Sequence, residues 1–258
     1  MISLDATIIQ ADLLFNPPGI QSDHLESMSH NRCPQFASSM MCADFLHLAE
    51  ELRLLEAYGI DWLHIDVMDG HYVPNFSLGL DYCRALASAT RLPFDVHLMV
   101  EHPECHIDAF ATLPGARLTF HPETVRQPIR LVQRIRELGA AVGVAIDPAQ
   151  AVEQFRHLIP LVDQVLVMTV NPGYAGQKLL SHCIAKIREL KQWLDREGVA
   201  TEIEVDGNVS WENIPKMTEA GASILVLGTS SLFEKHRPRE ECLRALRALR
   251  DQFRTVKR

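Results

Sequence analysis

The 258-residue chain has no apolar run approaching the roughly 20 residues a membrane helix requires, so no membrane association is expected. It has no basic excess either. Lys and Arg number 25 against 33 Asp and Glu, a formal net charge of −8, which argues against nucleic acid as a partner. An anionic small molecule stays possible, because backbone amides can hold a phosphate without many lysines. The six cysteines, Cys33, Cys42, Cys83, Cys105, Cys183 and Cys242, form no C-x-x-C pair, and reduced thiols are the expected state rather than a zinc ribbon or redox motif. No basic region leading into a long apolar core opens the chain, so a secretory leader is not expected and the cytoplasm is the expected compartment. Finally, no glycine-rich turn follows the first strand-like segment, which speaks against a doubly wound dinucleotide fold.

What is present is a soluble-enzyme composition, 47% hydrophobic and 22% charged, with a change of character near residue 34. Residues 1–33 are polar and irregular, with Pro17-Pro18-Gly19 and a Ser/His/Asn-containing stretch, and are read as a poorly ordered arm. Residues 34–258 alternate short apolar strands with amphipathic helices. Strands are expected at 35–42, 61–67, 93–98, 116–120, 141–146, 163–169, 201–206 and 223–228. Helices are expected at 46–58, 79–89, 126–138, 179–197 and 210–220. Eight strands, each followed by a helical segment, predict an α/β fold of one (β/α)8 TIM barrel.

The polar residues inside these strands carry the chemistry. Side chains alternate faces along a strand, so in His64-Ile65-Asp66-Val67-Met68 an imidazole and a carboxylate share one face with Met68. Ile65 and Val67 share the other face and suit packing under helices. His97 repeats the device in Asp95-Val96-His97-Leu98-Met99, and Asp206 ends the strand Glu202-Ile203-Glu204-Val205-Asp206. A lone inward His is more often a bonded core residue, and a lone terminal Asp is often a helix cap. Four such residues at three strand ends point instead to an N2O2 site for one divalent ion: zinc, manganese, iron or cobalt. Asp95 and Glu204 lie one alternation deeper and are expected to pair structurally. His121, in His121-Pro122-Glu123-Thr124, serves either substrate contact or loop shape, and the sequence leaves that open.

Three segments offer backbone amides to a phosphate: Gly173-Tyr174-Ala175-Gly176 in the loop from Asn171 to Gln177, Gly207-Asn208, and Gly228-Thr229-Ser230. The last two follow the strands that form the usual phosphate pocket of barrels.

Taken together, Ser39-Met40-Met41-Cys42-Ala43-Asp44-Phe45, His64 through Asn75, Asp95 through Met99, Met168 through Gly173 and Val205-Asp206-Gly207 resemble the ribulose-phosphate 3-epimerase family over about residues 35–250. The resemblance implies that His64, Asp66, His97 and Asp206 bind the metal and that Asp66 and Asp206 are the acid–base pair. It implies substrate contacts from Ser39 and His97, and an apolar wall of Met68, Met99 and Met168. Phosphate would lie on Gly173, Tyr174, Ala175, Gly176, Gly207, Asn208, Gly228, Thr229 and Ser230. It also implies a ketose-phosphate substrate and a homo-oligomer.

Two departures stand out: Ser38-Ser39 where the family usually has Pro-Ser, and Asn208 where it commonly has a second Gly. Asn208, residues 121–124 and residues 228–233 look closer to the allulose-6-phosphate 3-epimerase branch, which leans the expected substrate pair to D-allulose 6-phosphate and D-fructose 6-phosphate. D-ribulose 5-phosphate and D-xylulose 5-phosphate are the rival pair. Readings from other classes are a metal-dependent hydrolase, which would not need two opposed carboxylates, and a non-catalytic sugar-phosphate-binding barrel, which would not need both Asp66 and Asp206.

Overall fold

A computed structural model describes residues 33–255; the arm expected at 1–33 falls, apart from Cys33, outside the described residues. Eight parallel strands form the core: β1 (Gln35–Ser39), β2 (Trp62–Asp69), β4 (Phe94–Met99), β5 (Arg117–Phe120), β6 (Ala141–Ile146), β7 (Gln164–Met168), β8 (Glu202–Asp206) and β9 (Ile224–Leu227). They hydrogen-bond in the order β1-β9-β8-β7-β6-β5-β4-β2, and β1 also pairs with β2, which closes the barrel. A two-residue strand, β3 (Phe76–Ser77), adds antiparallel to the end of β2 at the mouth.

The helices are α1 (Leu48–Ala57), α2 (Leu80–Ala87), α3 (Ile107–Phe110), α4 (Pro128–Glu137), α5 (His182–Glu197), α6 (Asn213–Ala220) and α7 (Arg239–Thr255). The outward alternation of β2, Leu63, Ile65 and Val67, belongs to the main apolar core with Leu52 and Leu55 of α1. The barrel thus obeys the period-2 reading, and burial of this shell is what the hydrophobic effect rewards. α7, which the sequence reading did not list, buries Leu243, Leu246, Leu249 and Phe253 along one face. Its Arg250 ion-pairs with Asp61 and lies over the Phe36 ring, tying the last helix to the first strand.

Two expectations are corrected. The strand expected at 35–42 ends at Ser39, and Met40–Cys42 form a 3-10 turn closed by Ala43 N–H donating to the Met40 carbonyl at 3.3 Å. That turn swings Met41 and Cys42 over the barrel mouth. After β6 no α-helix follows; only 3-10 turns occur, at Val152–Phe155 and Ile159–Leu161. Pro148 and Pro160 lack amide donors and disfavour helical geometry in the residues before them, so the segment breaks into turns.

Candidate active site

Register places the polar residues in layers. Parallel pairing sets Asp66 beside His97 and His64 beside Asp95, while Met68 meets Met99 one step higher. On the other side, Met168 pairs with Asp206. His64, Asp66, His97 and Asp206 are thereby brought together, with one ligand atom from each within 4.8 Å of the others. Asp66 is the hub. Its Oδ1 lies 3.2 Å from His64 Nε2 and 3.4 Å from His97 Nδ1, and its Oδ2 accepts a hydrogen bond from Ser39 Oγ at 3.1 Å.

These donors fit a divalent ion. His64 Nε2 is fully buried yet has no aligned hydrogen-bond partner, a costly state for a polar atom unless something else meets it. Its other nitrogen, Nδ1, is 2.7 Å from Asp95 Oδ2, the carboxylate support that metal-binding histidines usually have. Asp95 in turn accepts from Arg117 Nε at 3.0 Å, so the expected structural pairing of Asp95 has definite partners. Glu204 accepts from Gln164 Nε2 and sits 3.7 Å from His64 Nδ1.

Burial and neighbouring charge push the two inner carboxyls apart. For Asp66, burial works upward, but the His64 charge and the bonds to His64 and His97 outweigh it and hold the group well below the carboxylate range. For Asp206, burial and then the nearby Asp66 charge raise the pKa from 3.8 to about 7. Burial also pulls His97 down to about 4, leaving it neutral at pH 7, as a ligand must be. Without an ion, His64 stays well above the ordinary histidine value: burial lowers it, but the Asp66 carboxylate 3.2 Å from Nε2 and the bond to Asp95 prevail, so His64 must release a proton before Nε2 can take an ion.

A pH effect on stability follows for protein stripped of divalent ions by a chelator. The folded Asp206 pKa is raised, so the native state keeps a proton the unfolded chain has lost. That stabilisation is complete below the ordinary 3.8 and disappears as pH rises through about 7. His64 and Glu204, also raised, act in the same direction. His97, lowered to about 4, works the other way up to its ordinary 6.5, so the urea midpoint should fall between about pH 6.5 and about pH 8. Asp206→Asn should flatten part of that fall; an unchanged slope would mean Asp206 is not the proton holder.

The cavity above this cluster is lined by Ser39, Asp66, Met68, Met99, Met168 and Asp206, together with every expected phosphate residue from the three loops. Positive φ at Gly173 (114°), Gly176 (81°) and Gly207 (108°) lets the loops turn their amides. At Gly207 a side chain would also press against the Val170 amide nitrogen at 2.9 Å. Asn208 takes a left-handed φ of 48°, and its side chain donates to Ser230 Oγ and accepts from Asn213 Nδ2, linking two of the loops. The residue is therefore held by the scaffold as well as facing the cavity.

Sequence reasoning did not identify Met41, Cys42, Val170 or Gln177, which also line the cavity. The Cys42 thiol is pushed up to about 11, chiefly by burial, so it is a weak nucleophile. His121 is wholly buried and is not among the cavity-lining residues; its Nε2 lies 2.8 Å from His97 Nε2. Behind it stand Tyr72, Glu123 and Asp147. Asp147 had one available signal: it directly follows the last residue of β6, at the rim of the barrel.

Residues 35–233 match the profile described as the ribulose-phosphate 3 epimerase family. A ribulose-phosphate 3-epimerase of Treponema pallidum (strain Nichols) is 43% identical over 194 residues, covering 75% of this chain and 89% of that protein. One from Bacillus subtilis (strain 168) is 43% identical over 195 residues, with coverages of 75% and 90%. Among solved structures, a mutant tryptophan synthase alpha-subunit from Pyrococcus furiosus aligns with a TM-score of 0.58 at 12% identity, covering 86% of this chain and 96% of that one. At that identity the likeness concerns the barrel alone.

Proposed function

The chain belongs to the ribulose-phosphate 3-epimerase family and is an isomerase, and from that premise we propose that it inverts C3 of a ketose phosphate by proton transfer between Asp66 and Asp206. The carrying observation is the contrast between these two carboxyls. They reach one cavity from β2 and β8, and in the ion-free protein their surroundings drive one pKa down and the other up. Such a split marks a base and an acid working together.

The ionised Asp66 takes the C3 proton from one face, and the protonated Asp206 supplies one to the other. The reverse reaction exchanges these roles. Met68, Met99 and Met168 cover the reacting carbon with apolar, polarizable side chains that exclude water. Ser39 steadies Asp66, and the loops at 173–176, 207–208 and 228–230 receive the phosphate. A divalent ion held by His64, Asp66, His97 and Asp206 would supply positive charge against the anion that forms as the proton leaves.

The named relatives favour D-ribulose 5-phosphate and D-xylulose 5-phosphate as the substrate pair. The hexulose pair, D-allulose 6-phosphate and D-fructose 6-phosphate, is a second reading, motivated by Asn208 in the cavity wall. Turnover in deuterated water should place one deuterium at C3 of the product. Efficient turnover without solvent label would sink the two-carboxylate scheme. Measuring kcat/KM for both ketose phosphates under the same conditions decides between the pairs.

A further inference from the structure

We propose that Asn208 is a positioning residue of the phosphate subsite: held from behind by Asn213, it turns the hydroxyl proton of Ser230 into the cavity, toward the substrate phosphate. The inference rests on the phosphate-binding part of the function proposed above.

Asn213 is buried at the start of α6, behind the residues that line the cavity, and its carboxamide can sit only one way round. One end lies 3.1 Å from the backbone carbonyl oxygen of Asn208, which can only accept. The other lies 3.4 Å from the Lys216 ammonium, which can only donate. The amino group therefore faces Asn208 and the oxygen faces Lys216. The same amino group reaches the Asn208 side chain at 2.9 Å, so the atom it meets there must be the oxygen, Oδ1. That leaves Asn208 Nδ2 for Ser230 Oγ, 3.2 Å away, and an amide nitrogen can only donate. Ser230 Oγ accepts in this contact, and its own proton points elsewhere. Among the described residues no side chain or carbonyl takes that proton, and Ser230 lines the cavity beside Thr229 and Gly228. An anion in the cavity is the acceptor it faces.

The backbone allows this arrangement. Residue 208 has φ 48°, a conformation that favours glycine but that asparagine also adopts at low cost. The turn is kept, and the carboxamide it carries spans from the loop after β8 to the loop after β9. The direction of one hydroxyl matters here because the cavity lining includes no lysine, arginine or histidine among the described residues. Amide and hydroxyl donors alone meet the phosphate charge, and hydrogen bonds to an ionised acceptor are the strong ones.

Inorganic phosphate, used as a competitive inhibitor, reads the subsite without the chemistry. Ser230→Ala should raise its inhibition constant about 10-fold, the low end for a hydrogen bond to a charged group. Asn213→Asp places an acceptor where the amino group stood, so the Asn208 carboxamide turns over and draws the Ser230 proton away from the cavity. That variant should raise the constant by a similar factor, and should raise KM more than it lowers kcat. In the double variant the two losses should not add, because Asn213 acts through Ser230. Additive losses overturn the proposal and leave Asn213 as a residue that merely holds its loop. Asn208→Gly keeps the backbone conformation and frees the hydroxyl rather than turning it away, so phosphate should weaken by about 2- to 5-fold, the range for one orienting bond between neutral groups. Unchanged or tighter phosphate binding in Asn208→Gly also overturns the proposal, with the phosphate subsite itself intact. If phosphate does not compete with substrate in the wild type, the phosphate subsite falls and this inference falls with it.

Discussion

Asp206→Asn should lower kcat by about 10³- to 10⁴-fold, the upper part of the range for a lost general acid or base. The amide matches the carboxyl in shape but can neither hold nor release the proton. The strand end should survive, because Thr169 donates its N–H and Oγ1–H to the Asp206 backbone carbonyl at 2.8 and 2.9 Å rather than to the side chain. Asp66 keeps its own partners, Ser39, His64 and His97. The variant should then retain half of the reaction. The epimer whose C3–H faces Asp66 should still exchange that hydrogen with deuterated water, while the opposite epimer should not. Zinc content measured on the same sample separates loss of the proton carrier from loss of a ligand. Turnover within tenfold of wild type at full metal loading would take Asp206 out of the pair.

The four inward residues are legible in the sequence because they obey a local rule. His64, Asp66 and His97 break an otherwise apolar strand at period-2 positions, and Asp206 ends one, so each announces an inward polar side chain near a rim. The phosphate loops were legible for a similar reason, since glycine at 173, 176 and 207 marks backbone that adopts positive φ. The support around His121 has no such pattern. Tyr72 reaches it across 49 residues of sequence, and reaches Asp147 across 75, so the contact exists only once three rim segments meet. The same holds for the cavity wall at Met41 and Cys42, hidden by reading the first strand three residues too long. The turns after β6 show the converse: the break is local, at Pro148 and Pro160, and there the regular repeat of strand and helix does not hold.

Beneath the site, Arg117→Met should destabilise the barrel by about 3–5 kcal/mol, the usual cost of removing one partner from a buried ion pair. Arg117 is 3% exposed, donates to Asp95 Oδ1 and lies over the Trp62 ring at 4.1 Å. Asp95 is fully buried, and the Arg117 charge and His64 together hold its pKa below the carboxylate range against the upward pull of burial. Methionine would fill much of the space but leave Asp95 charged and one partner short, with Glu204 also nearby. Urea unfolding at pH 7 gives the loss, and the double variant Arg117→Met, Asp95→Asn identifies its source. If the stranded charge is responsible, neutralising Asp95 should recover a large part of the stability, a coupling well beyond additivity. If the double variant is simply less stable than either single one, the arginine's packing on Trp62 dominates instead. The same ion pair bears on the site, since Asp95 also grips His64 Nδ1. Arg117→Met should therefore weaken zinc binding as well, although Arg117 is not among the residues lining the cavity.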